Sequence, residues 1–142
     1  MPALHISSAV VHQWHCDHFG HMNTRHYAGM FDDAVFLFWS RFGVQAPVPG
    51  EPLVIPVTAE MKTGFLAEAK AGTSLEIHAS VRRVGGKSAT LHLRMSNAAN
   101  GEAVATCDIV EVFFDNQSRT SQAIPEAVRH RLLAAVEDNG AQ

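Results

Sequence analysis

The stretch from Asn23 to Phe42, NTRHYAGMFDDAVFLFWSRF, constrains the fold more than any other. Phe31, Val35, Phe38 and Phe42 recur at three- and four-residue spacing, and Met30, Ala34, Leu37 and Trp39 widen the stripe. In its second half only Asp32, Asp33, Ser40 and Arg41 are polar. A helix this apolar has to be enclosed, and the residues that follow are suited to enclose it. After a Pro- and Gly-rich loop, Ala46 to Pro52, the period changes to two: Leu53, Ile55, Val57, Ala59 and Met61 alternate with Val54, Pro56, Thr58 and Glu60. Leu75, Ile77, Ala79 and Val81 alternate in the same way with Glu76, His78, Ser80 and Arg82. Gly85-Gly86 turns tightly into a strand with Ala89, Leu91, Leu93 and Met95 on one face. Asn100-Gly101 turns again into a long apolar strand over roughly Glu102 to Phe114.

A strand over Ser8 to Trp14 precedes the helix, and a surface helix over Pro125 to Asp138 closes the chain. That last helix has proline in its first turn and Val128, Leu132, Ala135 and Val136 on one stripe. Asn23 or Thr24 can cap the long helix through a side-chain oxygen, and Gly43 suits the left-handed residue beyond its end. The expected class is α+β: a five-stranded antiparallel sheet wrapped around one long central helix, plus a C-terminal helix. With 142 residues and 46% hydrophobic content, the chain can bury one substantial core, so a single domain over 1–142 is expected.

Charge narrows the function. A formal charge of −3 with histidine neutral, and no basic run longer than Arg82-Arg83, gives no footprint for nucleic acid or an anionic membrane. The N-terminus lacks a charged start followed by an apolar block, and no apolar run is long enough to span a bilayer, so a cytoplasmic protein is expected. Cys16 and Cys107 fall on very different segments, and a reducing compartment keeps both as thiols.

Chemistry concentrates in HCDHFGHMNTRHY, His15 to Tyr27, which holds four histidines, a cysteine and an aspartate. Imidazole with thiolate is a conceivable zinc set, yet His15, His18 and His21 recur every three residues without the CxxC or HExxH spacing that fixes a site. No metal and no cofactor are expected, and Cys16 reads as a small packed residue.

The run CDHFGHMNTRHYAGMFDDA resembles the N-terminal signature of the hotdog-fold acyl-CoA thioesterases of the 4-hydroxybenzoyl-CoA thioesterase type, with Asp17, Gly20, His21, Asn23 and Tyr27 matching. GGKSATLHLRMSN and QAIPEAVRHRL are similar to later segments of that family, so the likeness covers nearly the whole chain. The resemblance implies thioester hydrolysis in which Asp17 is nucleophile or general base and the backbone N–H of Thr24, at the start of the helix, supplies the oxyanion donor. Helix-start amides are unpaired and sit at the positive end of the macrodipole, which suits that task. His21 and Asn23 would orient the loop or the substrate, with Gly20 and Tyr27 beside it. Thr24 stands where the family often has a second Asn, which leaves the backbone donor in place. Lys87 matches a position where the family often presents a basic residue, and Arg119 follows the last strand; both are candidates for CoA phosphates. The family also implies an acyl-CoA substrate and a homodimer or homotetramer, consistent with long edge strands that need a partner. Two rival functions stay open at this level: an acyl-CoA-binding protein without turnover, and a zinc-dependent hydrolase.

Overall fold

The computed structural model describes residues 3–44 and 46–136. Strand β1 spans Leu4–Val10, followed by a short 3-10 turn at Gln13–His15 and helix α1 at Thr24–Arg41. Strands β2 (Val54–Phe65), β3 (Ser74–Val84), β4 (Ser88–Asn97) and β5 (Ala103–Asp115) follow, then helix α2 at Glu126–Ala135. All five strands form one antiparallel sheet in the order β1-β3-β4-β5-β2.

The three inner strands alternate as their sequence requires. Leu75, Ile77, Ala79 and Val81 from β3 and Leu91, Leu93 and Met95 from β4 are buried, and Cys107, Ile109 and Phe113 continue the layer on β5. Helix α1 lays Tyr27, Phe31, Ala34, Val35, Phe38 and Trp39 against this layer. Asn23 caps it by accepting from the Arg25 N–H, and Gly43 just beyond it has φ +83°.

Four expectations are corrected. The first strand is Leu4–Val10, not Ser8–Trp14: it is an edge strand in which Ile6 alone is buried, so its sequence carries no clear period. Pairing runs from Leu4↔Ala79 to Val10↔Ser74, and the chain then leaves the sheet. Strand β2 starts at Val54 and buries none of its residues, because it forms the other edge and a bulge between Thr58 and Glu60 breaks its alternation. Its Pro56 fits because an edge strand has one unpaired side.

Helix α1 is enclosed on one side only. A single sheet covers one face, so Phe36 is 69% and Leu37 47% exposed. Lastly, Pro125 is the N-cap of α2 rather than a first-turn residue, and the helix stops at Ala135. Val136 is extended and bridges to Val81, while Glu137 and Asp138, the remainder of the expected helix, lie outside the described residues. Val128, Leu132 and Ala135 are buried as their stripe requires. Among the described residues no helix is long and apolar enough to cross a membrane.

The two ends of the sheet are chemically distinct. The start of α1 sits by the β2–β3 connection, where the Met22 N–H donates to Ala69 O and the Val11 N–H to Thr73 O. The β3–β4 turn lies at the opposite end, where the Phe113 N–H donates to Lys87 O and the Ile124 N–H to Gly86 O.

Candidate active site

The loop from Cys16 to Met22 is a small closed unit. Cys16 and Met22 form an isolated bridge, the Asp17 N–H donates to His21 O, and the Gly20 N–H returns to Asp17 O at 3.0 Å. That last turn needs a left-handed residue, and Gly20 provides it with φ +84°. The loop is tied to the helix entrance because the Asn23 N–H donates to His15 O at 2.9 Å.

Within it both carboxylate oxygens of Asp17 are engaged. Oδ1 accepts from the Phe19 N–H at 2.9 Å, and Oδ2 accepts from Asn23 Nδ2 at 3.0 Å. The Asn23 amide, then the Phe19 N–H, hold the Asp17 carboxyl below its ordinary range, with His18 and His21 adding a smaller pull. Asp17 is therefore an oriented carboxylate at neutral pH.

Asn23 spends its other atom on the helix: Oδ1 accepts from the backbone N–H of Arg25 at 3.2 Å and from Arg25 Nε at 3.1 Å. The His26 N–H is taken by Asn23 O. Among the described residues the Thr24 N–H has no acceptor, so the first helical amide stays open next to the Asp17 loop. Carboxylate, capping amide and free helix-start donor are thus gathered within eight residues of chain.

The flanking residues take separate parts. His21 points to the β2–β3 connection, its Nε2 3.0 Å from Glu68 Oε2. Tyr27 is buried with its ring edge-on to Phe65 at 5.1 Å, and burial, with Glu68 and Cys16 nearby, pushes its phenol up. The remaining histidines of the motif stack instead of converging. His12 lies parallel to Trp14, Trp14 lies against His15 at 3.6 Å, and His15 meets His26 edge-on at 5.0 Å. His15 is buried, accepts from the His12 N–H through Nδ1, and is lowered by that burial and by its two histidine neighbours. Among the described residues no three His, Cys, Asp or Glu side chains form a group suited to a metal ion. Trp14, just before the loop, and Phe19, within it, are both exposed.

Lys87 and Arg119 are not brought to this loop within one chain. Lys87 is exposed in the β3–β4 turn at the other end of the sheet, and Arg119 lies over the Phe114 ring at 4.9 Å, at that same end. An eleven-residue strand, β3, separates the two ends, a span of about 35 Å.

A second carboxylate was not anticipated from sequence. Glu111 is 2% exposed on the core face of β5, its Oε1 accepts from Trp39 Nε1 at 2.9 Å, and its Oε2 has no hydrogen-bond partner among the described residues. Burial pushes its carboxyl up and Asp32 adds to that, while Trp39 and Thr58 pull the other way. The signal in the sequence is that Cys107, Ile109, Glu111 and Phe113 occupy alternate positions, so a charged residue stands where the strand period demands an apolar one.

A family model described as the thioesterase-like superfamily matches residues 10–132. Solved structures share the fold at low identity. A Pseudomonas aeruginosa PAO1 protein aligns with TM-score 0.81 and 24% identity over 96% of this chain and 99% of its own. A Synechocystis 1,4-dihydroxy-2-naphthoyl-CoA thioesterase aligns with TM-score 0.77 and 14% identity, covering 93% and 96%. A Staphylococcus aureus protein solved in complex with CoA gives 0.78 and 19%, covering 96% and 89%. No curated protein matches the chain in sequence.

Proposed function

This chain belongs to the thioesterase-like superfamily, and on that premise we propose that it is an acyl-CoA thioesterase, converting a thioester and water to a free acid and CoA. Its five-stranded antiparallel sheet against one long helix is the hotdog fold. The observation that carries the reading is the pairing of an oriented Asp17 carboxylate with a free Thr24 amide. In this reading the Thr24 N–H donates to the carbonyl oxygen of the thioester as it gains negative charge. Asp17 either attacks the carbonyl carbon, giving a mixed anhydride that water then hydrolyses to free acid and carboxylate, or takes the proton of the water that attacks and passes it on. In both routes the C–S bond breaks and CoA leaves as thiolate, protonated by that proton or by solvent. Asn23 orients the carboxylate, His21 braces the loop through Glu68, and Gly20 and Tyr27 shape the ground on which the thioester lies.

The reading includes a homodimer or homotetramer. Phe36, Leu37 and the unpaired edge of β2 are surfaces that a second copy would cover. CoA phosphates held by Lys87 or Arg119 would likewise be held by a copy other than the one supplying Asp17.

The test is release of CoA thiol from a panel of aromatic, short-chain and long-chain acyl-CoAs by wild type and Asp17→Asn. Expected is turnover of at least one class, reduced on the order of 100-fold or more in the variant, with the thioester still bound. Binding without turnover by wild type would mark an acyl-CoA-binding protein instead.

A further inference from the structure

Glu111 lies at a cavity of about 540 Å³, formed between the second half of α1 and the first half of β2. Val35, Phe36, Trp39 and Ile55 are among the apolar side chains of its wall, Asp32 is the other carboxylate on it, and no lysine, arginine or histidine among the described residues lines it. The fold positions Glu111 there deliberately. Thr58 is its direct partner on β2, and the bulge that follows Thr58 offsets the strand at this point. The Thr58 side chain pulls on this carboxyl, yet Oε2 has no partner at hydrogen-bond geometry among the described residues, and a carboxyl oxygen so buried is costly unless something supplies a full hydrogen bond.

One exposed side of α1 runs from the helix start to the cavity. Arg25, Gly29, Asp32 and Phe36 follow one another at three- and four-residue spacing along the exposed side of α1, and a Cβ at Gly29 would meet nothing. Eight residues separate Thr24 from Asp32, about 12 Å of helix.

We infer that this cavity is the subsite for the far end of the acyl group and that it takes a protonated amine, whose N–H donates to Oε2 of Glu111; this rests on the thioesterase reading above. Two carboxylates without a basic neighbour select a cation. The unpartnered oxygen selects one that carries N–H, and the faces of Trp39 and Phe36 suit the methylenes and charge beside it.

The probe pair is 8-aminooctanoyl-CoA and nonanoyl-CoA, which differ by an ammonium in place of a methyl and are long enough to run from Thr24 to Asp32. Wild type is expected to favour the amine in kcat/KM by about tenfold or more, and Glu111→Gln to bring the ratio close to one. Equilibrium binding of both esters to Asp17→Asn and to the Asp17→Asn, Glu111→Gln double variant, each checked for a single cooperative melting transition, reads the same preference without turnover. Equal handling of the two esters by wild type, or a preference that survives Glu111→Gln, overturns the inference while leaving hydrolysis intact. No CoA release from either ester or from any of the panel overturns the thioesterase reading, and the binding arm then decides the amine subsite alone.

Discussion

Asn23 joins Asp17 to the long helix: its Nδ2 donates to Asp17 Oδ2 at 3.0 Å while its Oδ1 accepts from the Arg25 N–H. One side chain therefore orients the carboxylate and caps the helix whose first amide stands open beside it. The two roles separate by substitution. Asn23→Ser keeps a capping oxygen and loses the amide donor, so stability should change by only a few tenths of a kcal/mol, whereas Asn23→Ala should cost about 1 kcal/mol. In both, the Asp17 carboxyl should move up toward its ordinary 3.8, because its largest stabilising partner is gone. If Asp17 acts as proposed, the acid limb of kcat/KM in wild type is expected below that value and should shift to higher pH in either variant. An unmoved limb in Asn23→Ser would remove Asn23 from the positioning role.

Glu111 gives stability the opposite dependence on pH. Its folded pKa is raised above the unfolded 4.5, so between these two values the native state holds more protons than the unfolded chain. Stability supplied by this group is complete below 4.5 and declines as pH rises through the folded value. The charged and polar groups facing it are Asp32, Trp39 and Thr58. Glu111→Gln cannot ionise and should flatten the decline, raising the melting temperature relative to wild type at neutral pH. Thermal melts of both proteins from pH 4 to 8 test this, and parallel curves would refute it.

Two phenylalanines on one helix should behave differently. Phe31 is fully buried, and Phe31→Ala should cost about 3–5 kcal/mol. Phe36 is 69% exposed, and Phe36→Ala should cost below about 0.5 kcal/mol in the isolated chain. If a second copy covers this face, the wild-type denaturation midpoint rises with protein concentration and Phe36→Ala weakens that dependence. Denaturant titrations at two concentrations distinguish the cases.

Gly20 is the left-handed corner of the Asp17 loop. Nothing crowds a Cβ there, so Gly20→Ala should cost about 1 kcal/mol, from the left-handed backbone alone. Because the left-handed corner sets the turn that closes on Asp17 O, a backbone that relaxes away from it displaces the carboxylate, and turnover should fall by more than that stability loss explains. Kinetics and melts on the same preparation separate the two effects.

The sequence by itself determined whatever is fixed over a few residues. The period of α1, its cap at Asn23 or Thr24, the left-handed Gly43, the alternation of β3, β4 and β5 and the motif from Asp17 to Tyr27 are local, since helix and strand faces repeat within one or two turns of chain. Tertiary structure decided what depends on pairing between distant segments. It moved the first strand to Leu4–Val10, because an edge strand is defined by its neighbour and buries little. It left Phe36 in the open, because one sheet has one inner face. It separated Lys87 and Arg119 from Asp17 by the length of the sheet. It also brought Glu111 to Trp39 across 72 residues, since strand register and helix rotation, not sequence spacing, choose which side chains meet.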